Sequence, residues 1–180
     1  TLNAGTICNN ATFSYTPTSA TSGTTFAWTR DAVVGISNVA GSGTGNPNET
    51  LTNTTTAPIV VTYAYTLAAN GCSNTQDVTV TVNPTPVLTS TLTPSAVCSN
   101  TPFTYTPTSS TTGVTYTWTR ATVAGISNAA GSGSSGVNET LINTTTAPVN
   151  VTYVYTVRIG SCANPTTYNV VVTVNPSPRL

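Results

Sequence analysis

Charge is what this sequence has least of. Only eight of its 180 residues are formally charged, four basic and four acidic, which is 4% of the chain, against about 25% in an ordinary soluble domain. Histidine, methionine and lysine are absent. General acid–base catalysis needs side chains whose pKa can be brought near the working pH. With no His or Lys and four scattered acids, Asp31, Glu49, Asp77 and Glu139, almost nothing is available, so no catalytic residue and no enzymatic activity are expected. Metal sites draw on clusters of His, Cys or carboxylate, and no such cluster stands in the sequence, so neither a metal nor a cofactor is expected. Arg30, Arg120, Arg158 and Arg179 are the whole basic complement and the net charge is +0. That is no basic stripe, which excludes nucleic acid as a partner. No run of 18 apolar residues exists, so no membrane insertion is expected. No N-terminal signal segment is visible. The chain opens on Thr1 and reads as a processed product or a piece of something longer.

Present instead are threonine, at roughly a quarter of the chain, far above average usage, and a hydrophobic fraction of 38% that argues against disorder. Above all there is a repeat. Cys8 returns as Cys98, Trp28 as Trp118, Tyr63 as Tyr153 and Cys72 as Cys162, each 90 residues on. Whole blocks return with them. Gly35-Ile-Ser-Asn38 becomes Gly125-Ile-Ser-Asn128, and Asn53-Thr-Thr-Thr-Ala-Pro58 becomes Asn143-Thr-Thr-Thr-Ala-Pro148. After Cys162 the offset is 92, so that Val82-Asn-Pro84 matches Val174-Asn-Pro176. The chain divides into two units, 1–86 and 87–180. Joining Pro178-Arg-Leu180 back to Thr1-Leu2 nearly regenerates the junction Pro86-Val-Leu88 to Thr91-Leu92, which reads as two units of a longer tandem array.

Hydrophobicity alternates with a period of two. Val114-Thr-Tyr-Thr-Trp-Thr119 and Val78-Thr-Val-Thr-Val82 put apolar side chains on one face and threonine on the other, the pattern of half-buried strands. Branched threonine suits the outer pleated face. In the second unit the pattern places strands near Val87–Leu92, Phe103–Thr108, Val114–Arg120, Glu139–Asn143, Val151–Val157 and Tyr168–Val174, with a weak one near Ala124–Asn128. Gly41-Ser-Gly-Thr-Gly45 and Gly131-Ser-Gly-Ser-Ser-Gly136 read as flexible loops. Six or seven short strands per unit and no helical period predict an all-β fold: two tandem immunoglobulin-like antiparallel β-sandwich domains. Trp28, Trp118, Tyr63 and Tyr153 are the expected core anchors.

The order Tyr116-Thr-Trp-Thr-Arg120, Gly125-Ile-Ser-Asn128, Asn138-Glu-Thr-Leu141, Val151-Thr-Tyr-Val-Tyr155, Gly160-Ser-Cys162, Val172-Thr-Val-Asn-Pro176 resembles the PKD-like (Ig-like) repeats of large secreted bacterial surface proteins. The resemblance covers the chain twice. It implies an extracellular, secreted or cell-surface location and a structural role, as the stalk or body of a fibre or adhesin. It implies partners that are neighbouring repeats or copies of the chain in a filament. A carbohydrate- or protein-binding adhesive module, using the loops at 41–47 and 131–137, is the alternative. In the better-known pattern the strand-C Trp runs into an acidic loop. Here Trp28 is followed by Thr29-Arg-Asp31 and Trp118 by Thr119-Arg-Ala121, so nothing tied to that loop carries over.

Two cysteines per repeat in a chain so poor in other reactive groups read as disulfides formed in an oxidising compartment. Two pairings stay open. Cys8–Cys72 with Cys98–Cys162 is the symmetric one. However, Cys98 precedes its second strand and Cys162 lies between its last two, at opposite ends of such a sandwich. A strand spans about 20 Å, whereas bridged Cα atoms lie within about 7 Å. A staple between repeats, Cys8 with Cys162, is therefore favoured, with Cys72 and Cys98 pairing to preceding and following units.

An uncharged surface tends to associate, and glycans counter that. Covalent glycans are considered at the sequons Asn10, Asn48, Asn53, Asn138, Asn143 and Asn150 and at the threonine clusters Thr54, Thr55, Thr56, Thr144, Thr145 and Thr146. Finally, Arg30 recurs with Glu49 as Arg120 with Glu139. If paired at an exposed edge, each would contribute about 0–1 kcal/mol.

Overall fold

In a computed structural model, residues 1–178 are described, so Arg179 and Leu180, the end of the junction segment, lie outside the described residues. The chain divides into two units, Thr1–Thr85 and Pro86–Leu180. Among the described residues there are no helices, and no helix is long and apolar enough to cross a membrane.

Repeat 1 comprises β1 (Leu2–Cys8), β2 (Ala11–Ser14), β3 (Thr25–Arg30), β4 (Gly41–Thr44), β5 (Asn48–Leu51), β6 (Ile59–Ala69) and β7 (Cys72–Asn83). One sheet runs β1-β7-β6-β3-β4 and the other is the pair β2-β5. Repeat 2 comprises β8 (Val97–Cys98), β9 (Pro102–Tyr105), β10 (Thr115–Arg120), β11 (Gly131–Ser134), β12 (Val137–Thr140), β13 (Val149–Ile159), β14 (Cys162–Ala163) and β15 (Tyr168–Asn175). Its larger sheet runs β11-β10-β13-β15-β8, with β14 also on β13, and β9-β12 forms the other. Each unit is the expected immunoglobulin-like sandwich. One pairing in each unit departs from the antiparallel expectation: β1 runs parallel to β7, and β8 parallel to β15.

The period of two explains the layers. Along β6, Val61, Tyr63 and Tyr65 are buried while Val60, Thr62, Ala64 and Thr66 face out. Phe13 on β2 meets Tyr63 across the sandwich at a ring separation of 4.9 Å. Trp28 meets the same ring edge-on at 5.4 Å, and Trp118 meets Tyr153 at 5.3 Å. All four expected anchors are buried, the tyrosines completely. Such edge-to-face pairs add about 0.5–1.5 kcal/mol beyond the area they bury.

Three sequence expectations are corrected. The Gly-Ser segments are strands, not loops: β4 pairs with β3 and β11 with β10. Glycine is needed there because the indole lies flat against the edge strand. A Cβ on Gly43 would stand 2.9 Å from Trp28 Cζ2, and one on Gly133 2.8 Å from Trp118 Cζ2. The weak strand near Ala124–Asn128 is a turn with a single bridge, Ile126 to Asn143. Val87–Leu92 is not a strand either: Leu92 O accepts from Val171 N at 2.8 Å, but Val97–Cys98 is the stretch that pairs with β15 as a strand.

Candidate functional site

The feature that both repeats build identically is a charged clamp between the two sheets. Arg30 closes β3 and its side chain points inward, because β3 alternates and Trp28 already faces the core. Glu49 comes from β5 in the opposite sheet. Arg30 Nε donates to Glu49 Oε2 and Nη2 donates to Oε1, both at 2.9 Å. Nη2 also donates to Val39 O at 2.6 Å, and Nη1 to Asp31 O at 3.2 Å. Tyr63 OH donates to Glu49 Oε2 at 2.8 Å. Repeat 2 has the same set. Arg120 Nε and Nη2 bond Glu139 at 2.9 and 3.0 Å, Nη2 bonds Ala129 O at 2.7 Å, and Tyr153 OH bonds Glu139 Oε2 at 2.7 Å.

The expectation of an exposed pair is corrected here. The Arg30 and Arg120 side chains are only 1% and 2% exposed, and the glutamates 20% and 22%. A desolvated bidentate pair that fills its remaining donors on backbone carbonyls differs in kind from a solvated one. Removing one partner leaves an uncompensated charge, at a cost of about 3–5 kcal/mol. The electrostatics agree with this picture. The Arg30 hydrogen bond, helped by Tyr63, holds the Glu49 carboxyl below its ordinary range, and Arg120 does the same to Glu139. Burial, then the carboxylate hydrogen bond, pushes the Tyr63 and Tyr153 hydroxyls well up. A carboxylate held ionised and engaged on both oxygens is a fastener rather than a proton carrier.

A second tie was read in the sequence as a glycan acceptor. Asn53 and Asn143 are buried, and the amide nitrogen that would carry sugar is taken. Asn53 Nδ2 donates to Ala57 O and Val82 O, both at 2.8 Å. Asn143 Nδ2 donates to Ala147 O and Val174 O, both at 2.8 Å. Neither is an acceptor in the folded chain, which corrects those two sequons. Their Oδ1 atoms take the backbone N–H and hydroxyl of Thr55 and of Thr145. Thr54 and Thr144 donate to Gly35 O and Gly125 O. All six threonines of these clusters are exposed, as are Asn10, Asn48, Asn138 and Asn150. The signal for the tie was available: an identical Asn-Thr-Thr-Thr-Ala-Pro block in both copies, with an asparagine able to close a local turn.

The cysteines fall into two kinds. Cys8 and Cys162 are disulfide-bonded, whereas Cys72 and Cys98 are free and exposed. Neither symmetric intra-repeat bridge is therefore formed. Cys98 ends β8, beside Asn175, rather than lying in a loop. Cys72 opens β7 directly after the two-residue turn Asn70-Gly71, where both residues have positive φ, 52° and 79°. That is the geometry asparagine and glycine supply in tight hairpins. Among the described residues, no group of three or more His, Cys, Asp or Glu lies together.

This geometry, repeated twice over one disulfide-bearing chain, agrees with a single family. The PKD-like domain matches residues 5–86 and again 95–178. The chain belongs to the PKD-like domain family. A search of curated proteins finds no match. Solved structures that align with this PKD-like pair include the N-terminal four Ig domains of Dscam1 isoform 6.9, at 11% identity over 98% of this chain and 43% of that one, with a TM-score of 0.43. An endo-fucoidan hydrolase of glycoside hydrolase family 107 aligns at 11% identity over 98% and 28%, with a TM-score of 0.37. The D0-D1 domain of intimin aligns at 16% identity over 94% and 92%, with a TM-score of 0.26. The chain thus spans less than half the length of the first two, and at these scores none of the three carries an argument. What stands is a tandem PKD-like repeat with a disulfide, consistent with a structural or adhesin-type extracellular module.

Proposed function

We propose that this chain is a structural spacer: two consecutive units from the stalk or body of a secreted or cell-surface bacterial fibre or adhesin, joined to its neighbours by disulfides between repeats. The observation that carries the reading is the split among the cysteines. The two oxidised residues, Cys8 and Cys162, belong to different repeats, while their symmetric partners Cys72 and Cys98 remain exposed thiols. In this reading Cys8 pairs with Cys162, Cys72 pairs with a preceding unit and Cys98 with a following one. Closing a long loop in this way restricts the unfolded chain. The twice-built clamp supports the same role, since it fastens each unit internally and keeps its own charged groups engaged.

The spacer has no catalytic function and needs no cofactor. Its partners are neighbouring repeats and further copies of itself. The adhesive alternative, through carbohydrate or cell-surface partners, loses its loops because 41–44 and 131–134 are strands. Glycans, where present, belong on the exposed acceptors Asn10, Asn48, Asn138, Asn150, Thr54, Thr55, Thr56, Thr144, Thr145 and Thr146. Non-reducing peptide mapping of the secreted protein, with intact mass and imaging of the native assembly, tests the reading. A Cys8–Cys162 linked peptide and a fibrous particle are expected. A Cys8–Cys72 peptide, or a compact non-repeating particle, overturns it.

A further inference from the structure

Each unit turns back after its long central strand through a two-residue loop, and the two loops differ. In repeat 1, β6 and β7 pair as far as Ala69 with Cys72, across Asn70-Gly71. In repeat 2, β13 and β14 pair as far as Ile159 with Cys162, across Gly160-Ser161. Asn70 and Gly71 both have positive φ, whereas in repeat 2 only Gly160 does, at 56°. These are two solutions for a tight hairpin, asparagine followed by glycine or glycine in first place. All four residues are exposed, so the loop meets solvent in both units, including the one that has another ahead of it in the sequence.

Asn70-Gly71 is the only Asn-Gly step in the sequence, and it sets an electrophile beside an unshielded nucleophile. Glycine has no Cβ to screen its amide nitrogen, and the space beside Gly71 is open: a Cβ built there would meet nothing within 4 Å. The three asparagines that precede alanine have their carboxamides engaged. Asn3 Oδ1 accepts from Gly5 N at 2.8 Å. Asn10 Oδ1 accepts from Thr52 Oγ1 at 2.8 Å. Asn128 is held at both ends, donating to Thr140 O and accepting from Ile142 N, each at 2.9 Å.

We propose that Asn70 is a site of spontaneous deamidation, which alters this one turn while the matching turn of repeat 2 stays as it is. The Gly71 amide nitrogen, giving its proton to hydroxide, bonds to Asn70 Cγ, and Nδ2 leaves as ammonia. Water then opens the five-membered imide. Breaking the bond from N to Cγ gives aspartate; breaking the bond from N to the Asn70 backbone carbonyl carbon gives isoaspartate. One water is taken up, one ammonia is released, and nothing is oxidised or reduced. Ring closure requires the turn to open, and the small Ala68 and Ala69 ahead of it offer little packing against fraying at the hairpin end. Aspartate tolerates the left-handed position that asparagine held. Isoaspartate routes the backbone through Cβ, which adds an atom to a loop whose length the register fixes. The disturbance is local, because Tyr63 and Tyr65 pair further along the ladder, with Val78 and Gln76. Either product adds a carboxylate to a chain of net charge +0.

The test ages the full 180-residue chain in buffers of rising pH from neutral and follows it by isoelectric focusing and peptide mapping, with electron-transfer fragmentation to tell isoaspartate from aspartate. An acidic form that maps to Asn70 is expected, forming about tenfold or more faster than at any asparagine followed by a residue with a side chain. Its rate rises with hydroxide concentration and both products appear. Hydrogen-exchange protection falls at Ala69 and Cys72 and is unchanged at Tyr63. Asn70→Gly leaves a Gly-Gly turn, which the same geometry accepts, and it removes the acidic form while keeping the fold. Conversion first at another asparagine, aspartate without isoaspartate, or an acidic form that persists in Asn70→Gly each overturns the proposal. So does an Asn70 that stays intact in the folded chain while it reacts in the urea-unfolded one. None of these outcomes bears on the Cys8–Cys162 peptide map, so the spacer reading and this one stand or fall separately.

Discussion

In repeat 2 the Trp118 indole donates to Gly136 O at 3.2 Å, whereas in repeat 1 the Trp28 indole N–H is buried without a hydrogen-bond partner. The rings otherwise sit alike, each against a glycine edge strand and each edge-on to a tyrosine. The connection after the edge strand is what changes. Gly45-Asn46-Pro47 in repeat 1 is replaced by Ser135-Gly136-Val137. Gly136 lets the backbone press against β9, where an added Cβ would stand 2.7 Å from Tyr105 O. Ser135 takes the left-handed conformation, φ 63°, that Gly45 takes at 69°. The clamp and the asparagine tie are held fixed between copies while the rim around the tryptophan varies. The comparison therefore separates what a unit needs to close from what it tolerates.

The clamp should give the largest effect, and an equal one in both units. Glu49→Ala and Glu139→Ala are each expected to cost about 3–5 kcal/mol by stranding a buried arginine. Each unit has one tryptophan, so fluorescence during denaturant unfolding reports each unit separately once the other unit's tryptophan is replaced by Phe. A loss confined to one unit would break the equivalence. The glycine edge comes next. Gly43→Ala and Gly133→Ala force a methyl into the indole and should each cost about 1–3 kcal/mol, visible in the same unfolding curves.

Acid and base should act on both units together. The Glu49 and Glu139 carboxyls are depressed from 4.5 by their arginines, so their contribution is present above that value and is lost as pH falls below it. Tyr63, Tyr65, Tyr153 and Tyr155 are raised from 10.0 by burial, Tyr65 to about 12. Their contribution is complete below pH 10 and is lost as pH rises beyond it. Thermal scans should show a plateau between pH 5 and 9 and a decline on either side; a decline already present at pH 6 would contradict the assignment.

The smaller effects sharpen the difference between copies. Trp118→Phe breaks a hydrogen bond that Trp28→Phe does not, so it should cost about 1 kcal/mol more. Equal losses would mean that the Gly136 contact contributes nothing. Ser135→Gly relieves a left-handed serine, partly offset by glycine's extra freedom when unfolded, and should stabilise repeat 2 by at most about 1 kcal/mol.

The same distinction governs what could be read from the sequence. β3, β6, β10, β13 and β15 were legible because large apolar and threonine side chains alternate along them, and the inward side of that alternation is the core. β4 and β11 were not, because Gly-Ser-Gly has no side-chain period; these are strands only because a tryptophan two positions inside β3 or β10 covers them. Arg30 with Glu49 was visible as a pair, but its burial was not. Burial depends on β5 lying opposite β3 across the core, a distance that no spacing encodes. Asn53 and Asn143 were visible as sequons, and what settles their role is the pair of carbonyls, from Ala57 and Val82 or Ala147 and Val174, that only the fold brings to them.

The clamps have a consequence outside the core. Half of the eight formal charges are neutralised within them; among the described residues that leaves Asp31, Asp77 and Arg158 at the surface. Around such a unit there is almost no field for dissolved ions to screen, although screening acts over about 8 Å at physiological ionic strength. Contacts along this surface are short-ranged, and their strength should change little between fresh water and brine.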